Sequence, residues 1–193
     1  ISGGEQPDRY SFVPFDIKGL ADDFFAPLEL VDITDFATLN FGACTTAIQI
    51  DLGLNVYQQV SRGLSLKLKG GFSDVFGTIY DDLLIGNDLQ NQLFASKGND
   101  TIIGGQGDDY LSGGFGDDLY IFSEAVVPEK DTIDDTSNVS FDTSVDTLDF
   151  SRYSSPITIN LILFSTQGIA DNRELDLSNS TIENVIGGRG NDT

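Results

Sequence analysis

An acidic or amide side chain recurs every nine residues between Gly77 and Phe122. Cut from Gly77, the chain reads as five consecutive nine-residue units, whose sixth positions are Asp82, Asn91, Asp100, Asp109 and Asp118. The eighth positions are all large and apolar or aromatic: Leu84, Leu93, Ile102, Leu111 and Tyr120. Carboxylate oxygens are hard ligands that suit divalent cations such as calcium. The spacing therefore indicates metal binding.

The elements that must position these side chains follow from the length of the unit. Nine residues suit a turn of about six residues and a strand of about three, in which only the middle side chain points inward. Two successive units then close one flattened coil of about 18 residues, and stacked coils lie ~4.7–4.9 Å apart. The sixth-position residues consequently form two rows, a first edge of Asp82, Asp100 and Asp118 and a second edge of Asn91 and Asp109.

Stacked carboxylates at this spacing require a cation. Two of them about 5 Å apart repel by ~3 kcal/mol at an effective dielectric constant near 20. Calcium accepts six to eight oxygens at ~2.3–2.6 Å and can reach ligands in two coils, whereas magnesium demands shorter, octahedral bonds. Zinc prefers His and Cys, and the chain has no His and only Cys44. Calcium is therefore the expected cofactor.

Other acidic residues of the same stretch lie outside the sixth position. We expect them to be solvated turn residues that raise the local negative potential: Asp81, Asp88, Asp108 and Asp117.

Composition excludes several functional classes. The net charge of −21, with only 10 Lys and Arg, disfavours nucleic acid and anionic membranes as partners. No stretch approaches the ~20 apolar residues of a membrane span. Without His there is no His-based nucleophile triad and no HExxH motif, so we predict no catalytic residues and no enzyme.

A second, longer repeat has a period of about 110 residues. Ser2–Phe12 aligns with Ser112–Phe122, and Phe72–Gly77 aligns with Ile182–Gly187. The alternating runs Ile48–Leu52 and Ile157–Leu161 also correspond and predict strands with one buried face. A period this regular is typical of solenoid or repeat architectures.

The two repeats together predict the domain organisation. Residues 1–14 would end a preceding β-roll, 15–76 would form a β-rich connecting segment, and 77–122 would form the nonapeptide β-roll. Residues 123–183 would be a second connecting segment, and 184–193 the truncated start of the next β-roll. Asp8 and Asp192 would then belong to neighbouring β-rolls.

The units Gly104–Ser112 and Gly113–Ile121 follow the pattern GGxGxDxUx and resemble the haemolysin-type repeats of the RTX (repeats-in-toxin) family. The flanking segments Asp146–Ser151, Ile157–Leu161 and Ile182–Asp192 resemble the C-terminal domain of serralysin-type metalloproteases, in tandem copies. The resemblance implies an all-β fold, a parallel β-roll or β-solenoid with calcium in the turns, joined by β-rich connecting segments. It also implies export by a type I system and folding on external calcium.

The resemblance further implies which residues hold calcium. In that family the ligands are turn carbonyls and sixth-position acids of loops one coil apart. Asp82 matches less well because its turn lacks two glycines, and the neutral Asn91 implies a weaker site. Carried over to this chain, the other ligands are Gly98, Asp100, Gly104, Gly105, Gly107, Asp109, Gly113, Gly114, Gly116 and Asp118.

Two functions fit these observations. The first is a calcium-rigidified segment of a secreted or cell-surface bacterial protein of structural or adhesin type. Its partners would be calcium and neighbouring repeat units, with self-assembly or a surface ligand as further options. The alternative is the C-terminal secretion and folding domain of an extracellular hydrolase whose catalytic domain lies outside this chain. Further 110-residue copies in the parent sequence would favour the first, and an upstream HExxH would favour the second.

Overall fold

The computed structural model describes residues 8–12, 27–32, 36–135 and 144–193. In these ranges the chain forms strands and no helix, which confirms the all-β prediction, and accordingly none of the described segments is a membrane-spanning helix. The strands are β1 (Arg9–Ser11), β2 (Leu28–Val31), β3 (Ala37–Asn40), β4 (Gln49–Asp51), β5 (Gln58–Ser61), β6 (Leu64–Lys69), β7 (Phe72–Phe76), β8 (Leu83–Ile85), β9 (Gln92–Lys97), β10 (Thr101–Ile103), β11 (Tyr110–Phe115), β12 (Leu119–Ile121), β13 (Glu129–Asp134), β14 (Asp146–Asp149), β15 (Thr166–Ala170), β16 (Arg173–Asn179) and β17 (Ile182–Ile186).

Most of the described strands belong to two long sheets. One has the order β1-β3-β7-β9-β11-β13-β16-β15 and the other β17-β14-β12-β10-β8-β4, and their neighbours are parallel except for the antiparallel pair β15–β16. Thr101 pairs with Leu83 on one side and Leu119 on the other, while Tyr110 pairs with Gln92. Successive units thus alternate between the sheets and partners are 18 residues apart, which confirms the predicted coil.

The core is built from the eighth positions of the units. Those five side chains are at most 1% exposed, as predicted from the alternation of a strand. They share one apolar cluster with residues of the later strands, including Ile133, Leu148 and Leu175. Burial of this inward row holds the two sheets together.

The parallel stacking continues beyond the nonapeptide units. Strands β3 and β7 precede them, and β13, β14, β16 and β17 follow them, in the same two sheets. A third, smaller sheet has the order β2-β6-β5 and lies within the predicted first connecting segment. The division into a β-roll and connecting segments stays a prediction, and the two sheets cross its boundaries at Gly77 and Phe122.

The longer repeat is visible in side-chain contacts. The Gln58 side chain accepts from the Asp51 amide at 2.8 Å and donates to the Asp51 carbonyl at 2.8 Å. Its counterpart Gln167 forms the same pair of bonds with Asn160, at 2.8 and 3.1 Å. Two copies of one local structure therefore recur at the period that the sequence predicts.

One strand prediction is wrong. Ile48–Leu52 contains β4, which pairs with β8, but Ile157–Leu161 forms no strand. A strand requires a run of backbone hydrogen bonds to one neighbouring strand. This segment instead bonds to two separate parts of the chain, because the Ile159 amide donates to the Thr193 carbonyl and the Thr158 amide to the Ile169 carbonyl.

Candidate metal centre

The first edge is a continuous ladder of carboxylates and backbone amides. The amide of Asp82 donates to Asp100 Oδ1 at 2.6 Å, and the amide of Asp100 donates to Asp118 Oδ1 at 2.7 Å. The amide of Asp118 donates to Asp146 Oδ1 at 2.9 Å, and that of Asp146 donates to Glu183 at 2.9 Å. The ladder therefore extends beyond the predicted residues to two acids of the following segment.

The second edge has the same construction. The amide of Asn91 donates to Asp109 Oδ1 at 2.9 Å, and the amide of Asp109 donates to Asp131 Oδ1 at 3.0 Å. Asp131 in turn accepts a hydrogen bond from Arg173. The two edges therefore run parallel through the repeats and end differently.

Each ladder uses only one oxygen of each carboxylate. The second oxygens of Asp100, Asp109 and Asp118 are buried and have no hydrogen-bond partner in the described structure. These residues are only 1–2% exposed. A buried charged oxygen without a partner is strongly unfavourable, so this arrangement calls for a cation beside each of them.

Asp82 and Asn91, at the start of the two edges, differ from these acids. Asp82 accepts from the Thr78 amide at 2.6 Å, from the Thr78 hydroxyl at 2.9 Å and from the Ile48 amide at 2.8 Å. Asn91 accepts from the Asn87 amide at 2.8 Å and donates to the Ser73 carbonyl at 3.0 Å. At these two positions hydrogen-bond donors of the chain therefore contact the side-chain oxygens that a cation would contact in the other turns.

Glycines allow the turns of adjacent coils to stack closely. Gly114 has a φ of +103°, and a Cβ at this position would overlap the Ser96 carbonyl oxygen of the preceding coil. The other predicted glycines with positive φ likewise face backbone 18 residues earlier: Gly98, Gly105, Gly107 and Gly116. The two remaining predicted glycines, Gly104 and Gly113, lie against the carboxylates of Asp109 and Asp118 in their own turns. Carbonyl oxygens and carboxylates are thereby concentrated between coils.

Burial makes the carboxylates hard to ionise in the absence of a cation. It raises the pKa of Asp100 to about 7 and those of Asp109 and Asp118 to about 8, from 3.8. Burial raises the pKa of Asp131 only to about 6, because the Arg173 guanidinium opposes it. A neighbouring positive charge thus restores the ionised form where the chain provides one.

The residues present suit calcium. They offer carboxylate and carbonyl oxygens in stacked turns, and Asp100, Asp109 and Asp118 keep one oxygen each for a ligand. When bound, calcium would supply the positive charge that balances these buried acids.

The acids outside the sixth position are exposed, as expected, and three of them also link coils. The Asn99 amide donates to Asp81 at 2.8 Å, and the Val145 amide donates to Asp117 at 2.9 Å. Asp108 accepts from the Lys130 amide at 2.8 Å. These carboxylates therefore act as exposed acceptors between coils.

Sequence reasoning missed the acids that continue the two edges. Asp131 and Asp146 follow Asp109 and Asp118 at separations of 22 and 28 residues, unlike the 18 within the repeats. Asp135 is also buried, and one of its oxygens has no hydrogen-bond partner. The feature of the sequence that could have identified these acids is their position beside alternating apolar residues in Glu129–Asp134 and Asp146–Asp149.

The fold and the two carboxylate edges define a calcium-binding parallel β-solenoid. Residues 85–120 match the RTX calcium-binding nonapeptide repeat in four copies. The chain thus contains RTX calcium-binding repeats, and these repeats bind calcium. The match begins after Leu84, so it excludes nearly all of the first unit, in which Thr78 and Tyr80 replace glycines. The serralysin resemblance of the flanks stays a prediction. No curated protein matches the chain.

Proposed function

We propose that the chain is a calcium-stiffened structural segment of a secreted or cell-surface bacterial protein, and that it folds when it meets calcium outside the cell. The observation that carries this proposal is the set of buried, unpartnered carboxylate oxygens of Asp100, Asp109 and Asp118. A folded chain that buries these charges is stable only when a cation accompanies them.

The proposed ligands are the sixth-position carboxylates and the carbonyl groups of the glycine turns. Asp100, Asp109 and Asp118 would each contribute the oxygen that the ladder leaves without a partner. Asp82 and Asn91 would contribute less, because their side chains already bond within the chain. The turn carbonyls would come from Gly98, Gly104, Gly105, Gly107, Gly113, Gly114 and Gly116.

A structural role rather than a catalytic one follows from the architecture. The two long sheets run through the nonapeptide units and their flanks, and the local contacts of Gln58 recur at Gln167. Stacked coils transmit stiffness along the array, since each coil contacts its neighbours. Neighbouring repeat units of the same protein are the proposed partners.

Extracellular localisation follows from the calcium requirement. Extracellular calcium modules have dissociation constants of ~10⁻⁴–10⁻³ M, far above the calcium concentrations that cytosolic sensors detect. A chain that needs such concentrations would remain unfolded inside the cell and fold after export, as in type I secretion.

The test is a calcium titration of the full chain followed by far-ultraviolet circular dichroism. We expect little β signal in chelator, a cooperative gain at ~10⁻⁴–10⁻³ M calcium, and a much smaller gain with magnesium at equal concentration. Identical spectra with and without calcium would contradict the proposal.

A further inference from the structure

The two edges end in different ways after the last nonapeptide unit. On the second edge Asp131 and Glu129 both contact the buried guanidinium of Arg173. Arg173 is 2% exposed, and it also donates to the Tyr153 hydroxyl at 3.3 Å and to the Ser123 carbonyl at 3.1 Å. The chain therefore terminates this edge with a cation of its own.

The buried part of the first edge ends in three acids instead. Asp118, Asp135 and Asp146 are 1–2% exposed, and each offers a carboxylate oxygen that lies within 4.8 Å of those of the other two. Only Asp118 belongs to the nonapeptide repeats, because Asp135 immediately follows β13 and Asp146 begins β14.

The hydrogen bonds of the three acids leave oxygens without partners. Asp118 Oδ1 accepts from the Asp100 amide at 2.7 Å and Asp135 Oδ1 from the Gly114 amide at 3.1 Å. Asp118 Oδ2 and Asp135 Oδ2 are buried and have no hydrogen-bond partner in the described structure. Two buried, unpartnered oxygens in one cluster indicate a missing positive charge.

The charged groups acting on these acids are themselves acidic. Asp100 and Asp117 repel the Asp118 carboxylate electrostatically, and Glu183 repels that of Asp146. Among the described residues, Arg173 is the positive group that ends a carboxylate edge, and it contacts the second edge rather than this one. Calcium–oxygen bonds of ~2.3–2.6 Å allow one ion to touch oxygens up to about 5 Å apart, which covers this cluster.

We propose that Asp118, Asp135 and Asp146 bind one further calcium ion, at a site that closes the first edge outside the glycine turns. The site goes beyond the proposed function, since it takes two of its three carboxylates from outside the repeats, and Asp118, which is also a proposed ligand in the glycine turns, would bridge the two ions. Calcium here does what Arg173 does on the second edge: it neutralises the last buried acids of the stack. The alternative occupant is a proton shared by Asp135 and Asp146.

The test counts calcium ions on the full chain by equilibrium dialysis near neutral pH. We expect Asp135→Asn and Asp146→Asn each to bind one ion fewer than the wild type. Asp149→Asn is the control, because Asp149 lies on β14 but accepts from the exposed Ser151 amide. A folded Asp135→Asn chain that keeps the wild-type number of ions would overturn the site and favour the shared proton. A wild type that binds no calcium would instead refute the proposed function.

A second measurement does not depend on the folding of a variant. In a crystal structure of the wild-type chain grown in calcium, we expect an ion ~2.3–2.6 Å from an oxygen of each of the three acids. Calcium present in the glycine turns but absent between Asp118, Asp135 and Asp146 would overturn the site and leave the proposed function standing.

Discussion

Removing calcium should invert the pH dependence of stability. A carboxyl whose pKa is higher in the folded chain than in the unfolded chain binds a proton more readily when folded. Its contribution to stability is therefore present at low pH and is lost as the pH rises from the unfolded value, 3.8, to the folded value of about 8 for Asp109 and Asp118. In calcium-free buffer we expect the folded chain to lose stability between about pH 5 and about pH 7.5.

The magnitude follows from the same values. At roughly 1.4 kcal/mol per pKa unit, the raised pKa of Asp109 costs the folded, calcium-free chain about 5 kcal/mol of stability at about pH 7.5, and that of Asp118 costs a similar amount. Asp100, with a pKa of about 7, costs about 4 kcal/mol on the same scale. Since a whole domain is stable by only ~5–15 kcal/mol, even half of this total would unfold it. Bound calcium removes the cost by keeping the carboxylates ionised.

The assay is urea unfolding followed by circular dichroism, at about pH 5 and about pH 7.5, with and without saturating calcium. Without calcium we expect more β structure at the lower pH. With calcium we expect more β structure at the higher pH, because acid protonates the carboxylates that bind the ion. Asp109→Asn sharpens the test, because the neutral side chain should stabilise the calcium-free chain near neutral pH and destabilise the calcium-loaded one. Calcium-free stability that is constant or increases with pH would refute the reasoning.

Three further predictions concern single positions. Asp109→Ala should weaken calcium binding about tenfold or more by calorimetry, because it removes a charged ligand, whereas the exposed Asp108→Ala should have a much smaller effect; the reverse order would place the repeat register one residue away. Arg173→Met should destabilise the calcium-loaded chain by ~3–5 kcal/mol in urea unfolding, since it leaves Asp131 and Glu129 buried without a counter-charge; an unchanged midpoint would contradict that role. Gly114→Ala should cost at least ~1–3 kcal/mol through its positive φ, with further loss from overlap with the preceding coil. Gly168→Ala, where a Cβ meets no atom within 4 Å, is the control, and equal effects would contradict the stacking argument.

The sequence alone determined the repeating part of this protein. A nine-residue unit with an acid at the sixth position and a large apolar residue at the eighth can stack in few ways. The predicted coil, the buried row from Leu84 to Tyr120 and the two edges all follow from local alternation and chain length. Calcium could be predicted as well, because the units offer oxygen ligands and the chain lacks His.

Only the tertiary structure decided how the two edges end. Beyond Phe122 the separation between ladder partners changes from 18 residues to 22 on one edge and 28 on the other, so spacing no longer predicts which acids meet. The contact of Arg173 with Asp131 spans 42 residues and depends on β13 pairing with β16. The fold decides which groups lie beside a buried charge. In this chain it places an arginine at the end of the second edge and further acids at the end of the first.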